Sequence, residues 1–89
     1  MQEKTVTIRN KAGIHCRPSS AILMAAGKFP DVRFEVVAER GTTELKSILD
    51  LLALGLQRGD IVTVRAEGTD ENAACEKIAE LFATEFDFV

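Results

Sequence analysis

Eighty-nine residues, 46% apolar and 28% charged, make one small domain, and without Trp or Tyr its core must be aliphatic with a few phenylalanines. A formal net charge of −3 argues against nucleic-acid binding, which favours a strongly basic face, and so small a core leaves little room for an enclosed substrate cavity. The apolar runs are too short for a membrane span, and Met1-Gln2-Glu3-Lys4 does not read as a signal peptide. Cys16 and Cys75 lie far apart and form no CxxC or Cys/His metal pattern, so a reduced, cytoplasmic protein without metal or cofactor is expected.

The first element in the chain is a half-buried strand, Thr5 to Arg9, in which Val6 and Ile8 alternate with polar residues. Asn10, Lys11, Ala12 and Gly13 read as a polar turn leading to the surface. A helix follows from about Arg17 to Lys28, with Ala21, Ile22, Ala25, Ala26 and Phe29 on one stripe; Gly27 weakens its last turn and Pro30 ends it. Val32, Phe34, Val36 and Ala38 alternate along a second strand. Arg40-Gly41 turns the chain into a short third strand, Thr42 to Leu45. Ser47 is placed to cap a short helix running to about Leu54 and closed by Gly55. After a turn at Gln57-Arg58-Gly59-Asp60 comes a fourth strand, Ile61 to Ala66. Thr69 or Asp70 then caps a last helix carrying Ala74, Ile78, Leu81 and Phe82 inward. Strands alternating with one-sided helices suggest an α+β open-faced sandwich, an antiparallel sheet with three helices on one face.

The richest stretch is Gly13-Ile14-His15-Cys16-Arg17-Pro18, which holds the only histidine. Pro18 fits the first turn of a helix, where a missing N–H costs nothing. His15 is therefore expected where strand gives way to helix, beside unpaired backbone N–H groups and the positive end of the helix dipole. Such a place binds anions, phosphate above all. A neutral imidazole there can accept a phosphoryl group, and the guanidinium fork of Arg17 matches phosphate oxygens. Alternatively, a lone histidine near a turn is a solvated residue or a helix cap, and an arginine at a helix start is an exposed charge. A Cys16–His15 hydrolase lacks a third residue to orient the base and an evident substrate pocket.

The chain resembles the histidine-containing phosphocarrier (HPr) family of the phosphoenolpyruvate-dependent sugar phosphotransferase system. The likeness runs almost end to end. Its marks are Val6-Thr7-Ile8, Gly13-Ile14-His15-Cys16-Arg17-Pro18, Leu45-Lys46-Ser47-Ile48-Leu49, Leu54-Gly55-Leu56 and Ala66-Glu67-Gly68-Thr69-Asp70-Glu71. The resemblance implies a four-stranded sheet in the order 1-4-2-3. It implies a single carrier domain over residues 1–89 that is not itself an enzyme. His15 would accept a phosphoryl group on Nδ1 from Enzyme I and pass it to an enzyme IIA domain for sugar uptake. Arg17 would balance the phosphoryl charge, and Ser47 would be the target of a dedicated serine kinase. Cys16, Ser20, Met24, Ile48, Leu49 and Leu52 would form the partner surface of a monomer that binds no membrane, with Leu51 and Leu54 in the core; all five apolar residues of the short helix could instead be core. Two regulatory alternatives share these residues: a nitrogen-type phosphotransferase protein using the same His15 chemistry, and a module that contacts a transcription regulator through Ser47.

Several positions depart from the family pattern. Cys16 replaces a small residue, often alanine or threonine, and fills the same slot or adds a thiol of lowered pKa. Met24, Gly27 and Asp50 stand where many relatives carry lysine or another polar residue, leaving a less basic rim around His15. Thr43-Glu44 and Leu45 depart from the usual residues before Lys46-Ser47, which bears on kinase recognition. Cys75 is expected in the core, and Phe86 and Phe88 have no assigned place.

Overall fold

Val32, Phe34 and Val36 are buried while Arg33 and Glu35 between them are exposed, so strand β2 (Val32–Ala38) has one dry and one wet face. Strand β4 (Ile61–Gly68) repeats the pattern with Val62, Val64 and Ala66 buried. The computed structural model describes residues 1–10, 13, 14 and 16–84, with Cys16 described by its backbone alone. Expectations on Lys11, Ala12, His15, Phe86 and Phe88 lie outside the described residues.

The remaining elements are β1 (Gln2–Thr7), α1 (Cys16–Gly27), β3 (Gly41–Thr43), α2 (Ile48–Ala53) and α3 (Glu71–Ala83). The strands pair antiparallel in the order β1-β4-β2-β3, which leaves an open sheet with β1 and β3 at its edges. The helices cover the dry face, where α3 packs on β1 and β4 and α1 lies against α3 and α2. Buried Ile22, Leu51, Ile78 and Phe82 from the helices meet Val36, Val62 and Val64 from the sheet in one core. At roughly 25 cal/mol per Å² of apolar surface removed from water, this layer supplies most of the folding drive. Arg65 binds Glu3 at 2.6 Å and Glu35 at 2.9 Å on the wet face, tying β4 to both neighbours. These groups are exposed, and pairs of this kind stabilise little.

Four local expectations are corrected. The first strand is Gln2–Thr7 rather than Thr5–Arg9, because pairing with β4 begins at Gln2 opposite Ala66. The third strand stops at Thr43. Leu45 is buried but adopts a left-handed backbone (φ 60°), and its N–H is turned back to the Thr43 hydroxyl at 3.3 Å. Ser47 and Asp70 do stand at the N-cap positions of α2 and α3, yet neither side chain makes a capping hydrogen bond. At α3, Glu71 accepts the Gly68 N–H at 3.3 Å instead. At the other end of α2, Gly55 adopts φ 59° and its carbonyl accepts from Arg40 at 3.0 Å, a basic group where the helix dipole favours one.

The Asn10–Gly13 segment is the fourth correction: Asn10, Gly13 and Ile14 are buried, although the residue types suggest a solvated turn. The reason is tertiary. Ile8 N–H donates to Asp60 O and Gly59 N–H donates to Ile8 O, both at 2.8 Å, while Ile14 N–H donates to Leu56 O at 2.9 Å. The connection from β1 to α1 is thus laid along the connection from α2 to β4. The latter is itself turned by Gln57 N–H on the Asp60 carboxylate at 2.8 Å.

Candidate anion-binding helix terminus and partner face

Helix α1 begins at Cys16, the residue after His15 in the chain. Pro18 lies in its first turn, where the preset φ suits the helix and the absent N–H has no intrahelical acceptor to lose. Pro18 and Ser19 are fully buried, so the helix start is anchored to the core. The first turn carries Arg17 and no acidic residue. Its N–H groups and dipole therefore face no competing carboxylate on their own helix, and the Arg17 residue is exposed.

The turn leading up to His15 is held from two directions. Asn10 Nδ2–H donates to the Gly13 carbonyl at 2.6 Å, and Gly13 N–H donates to the Asn10 carbonyl at 2.9 Å. Gly13 has φ 75° and lies so close to Leu56 that a Cβ would run into the Leu56 carbonyl oxygen. A glycine is required there on both counts. In the sequence, Asn10 and Gly13 read as a polar turn, and Gly13 and Leu56 as parts of family motifs, with nothing to link the three. The available signal was an asparagine three residues before a glycine, a spacing that lets a side-chain amide close a backbone turn.

The remaining site residues divide cleanly. Ser20 is exposed on α1, and Met24 is 72% exposed. On the neighbouring α2, Leu49 is 73% exposed, Ile48 and Leu52 are half-buried, and Leu51 and Leu54 are in the core. The short helix thus splits its apolar residues between core and surface. Ser47 is half-buried at the α2 boundary, with its carbonyl accepting the Leu51 N–H at 3.2 Å and its hydroxyl unused as a cap. Gly27 and Asp50 are exposed as well. His15 and the Cys16 side chain lie outside the described residues.

Elsewhere, Cys75 is buried under α3, its thiol donating to the Val64 carbonyl at 3.4 Å. Burial pushes its pKa up, which makes it a packing residue rather than a nucleophile. Among the described residues no group of His, Cys, Asp and Glu is arranged to hold a metal ion, and no helix is long and apolar enough to cross a membrane.

Comparison with known proteins bears on this arrangement. A family model described as the PTS HPr component phosphorylation site matches residues 2–84. A phosphocarrier protein HPr from Mycoplasma pneumoniae is 38% identical over 79 residues, covering 88% of this chain and 89% of its own length. One from Treponema pallidum is 36% identical over 87 residues and 98% of each chain. The crystal structure of an HPr from Thermoanaerobacter tengcongensis superposes with a TM-score of 0.84 at 34% identity, over 92% of this chain and 91% of that one.

Proposed function

This chain belongs to the HPr phosphocarrier family of the phosphotransferase system, and we propose on that ground that His15 carries a phosphoryl group from phosphorylated Enzyme I to an enzyme IIA domain. The observation that carries the proposal is the start of α1. A twelve-residue helix begins at the residue after the only histidine, with Arg17 and no carboxylate in its first turn.

The chemistry follows from charge. The accepting nitrogen needs a lone pair, so the imidazole must be neutral, and a free imidazole titrates near pH ~6.5. A helix N-terminus disfavours the imidazolium and favours the arriving phosphoryl anion, so one location serves both the nucleophile and its product. His15 Nδ1 attacks phosphorus, the bond to the donor's leaving group breaks, and the Arg17 guanidinium balances the charge on the phosphoryl oxygens. The second transfer reverses these roles, with the P–N bond to His15 breaking as the acceptor attacks.

The partner face comprises Cys16, Ser20 and Met24 on α1 with Ile48, Leu49 and Leu52 on α2. Exposed Met24 and Leu49 support this reading, since large apolar side chains in water mark contact surfaces. Two partners dock there in turn, so each interface is small and short-lived. A cytoplasmic monomer over residues 1–89 suits that traffic. Phosphorylation of Ser47 by a serine kinase regulates docking, since it adds roughly two negative charges beside α2 without removing a cap bond.

Incubation with Enzyme I and labelled phosphoenolpyruvate tests the proposal. A label that is lost in acid and kept in base is phosphohistidine, and it must be absent from His15→Ala. Label surviving in that variant refutes the assignment.

A further inference from the structure

Asn10 is 4% exposed and lies on the connection between β1 and α1, five positions before His15. Burying a carboxamide carries a desolvation cost that an alkyl side chain of similar size would not incur, unless its hydrogen bonds are made. Here the side-chain Nδ2–H meets the Gly13 carbonyl at 2.6 Å, while the Gly13 N–H returns to the Asn10 main-chain carbonyl at 2.9 Å. The next residue, Ile14, is 4% exposed and bonded through its N–H to Leu56 at 2.9 Å. Gly13 is pressed against the same Leu56 carbonyl. The two residues ahead of His15 are therefore closed by a side-chain amide on one side and by the α2–β4 connection on the other. Beyond His15, α1 is held by buried Pro18 and Ser19.

We propose that Asn10 is a positioning residue for phosphoryl transfer: its buried carboxamide locks the turn entering His15 and so sets the direction from which the imidazole meets its partners. This rests on the reading of His15 as the phosphoacceptor. Asn10 is buried and is not itself assigned to the reacting groups or the partner face. It acts by removing backbone freedom ahead of the reacting nitrogen. Transfer between two docked proteins needs donor, phosphorus and acceptor in line, and a small misplacement costs far more rate than binding.

The test uses the full chain with Asn10→Ala and the isosteric Asn10→Asp, which puts an oxygen where the donor faces the Gly13 carbonyl. Enzyme I kinetics are measured with the carrier as varied substrate, and the His15 imidazole is titrated by NMR on the folded protein. The expected result is a maximal transfer rate lowered ~10-fold or more with KM within about twofold, and a displaced His15 titration curve in both variants. Wild-type rates and an unmoved titration curve in folded variants overturn the inference alone. Rate losses that only track the unfolded fraction overturn it too. Failure of the wild-type chain to label on His15 takes down the underlying reading instead, and this one with it.

Discussion

The Ile14 amide donates to the Leu56 carbonyl at 2.9 Å, and this bond seams the approach to His15 onto the exit from the Ser47 helix. Gly13 sits within the seam, with φ 75° and no space for a Cβ against that same carbonyl. Gly13→Ala should lower stability by about 1–3 kcal/mol, the range for a strained left-handed residue, with the added contact pushing it toward the upper end. Thermal unfolding measures this, and an unchanged midpoint would mean the seam is loose.

Ser47 stands at an N-cap position without capping. A Ser to Ala change at a working N-cap costs about 1 kcal/mol. Ser47→Ala should cost only a few tenths, because the hydroxyl makes no capping hydrogen bond. Denaturant unfolding decides, and a full loss of cap stability would show that the hydroxyl does bond in solution. Ser47→Asp should weaken Enzyme I binding while leaving the melting curve in place.

Helix α2 separates core from exposed surface within three residues. Leu51 is fully buried and Leu49 is 73% exposed. Leu51→Ala should cost about 2–5 kcal/mol by leaving a cavity. Leu49→Ala should stay within about 0.5 kcal/mol in stability yet weaken Enzyme I binding by about 1 kcal/mol or more. Paired unfolding and titration experiments check both. Equal stability losses would place Leu49 in the core, and unchanged affinity would remove it from the partner face.

The Cys75 thiol has its pKa raised, mainly by burial. The unfolded chain therefore loses this proton first as pH climbs. Stability linked to Cys75 is complete below the ordinary thiol range and falls as pH rises from there toward the higher folded value. Cys75→Ala should flatten that alkaline decline, as read from unfolding midpoints across the range. A thiol reagent at neutral pH should modify Cys75 slowly until the protein is unfolded, and fast native modification would contradict its burial.

Alternation alone located Val32–Ala38 to the residue, because a strand with one wet face writes its period directly into polarity. It could not tell which strands are neighbours, and the order β1-β4-β2-β3 came from resemblance to a family. Helix α1 was legible through Pro18 and the stripe at Ile22, Ala25 and Ala26. What composition hid was long-range. Asn10 and Gly13 look like solvated turn residues until Leu56, far along the chain, accepts the Ile14 N–H and packs against Gly13. Leu45 looks like strand because its left-handed backbone is imposed by the turn into α2 rather than by its own preference. Ser47 and Asp70 have the right residue types for caps, and their failure to cap is a matter of rotamer and backbone geometry that spacing does not carry.

On the proposed reading, this chain is a covalent phosphoryl carrier working through a single imidazole nitrogen. Phosphorylation by Enzyme I followed by intact-mass measurement and NMR of the histidine ring tests it most directly. The expected product gains one phosphoryl group, shows it on Nδ1 of His15, and loses it on transfer to an enzyme IIA domain. A phosphoryl group on any other residue, or one that the acceptor cannot remove, would contradict it.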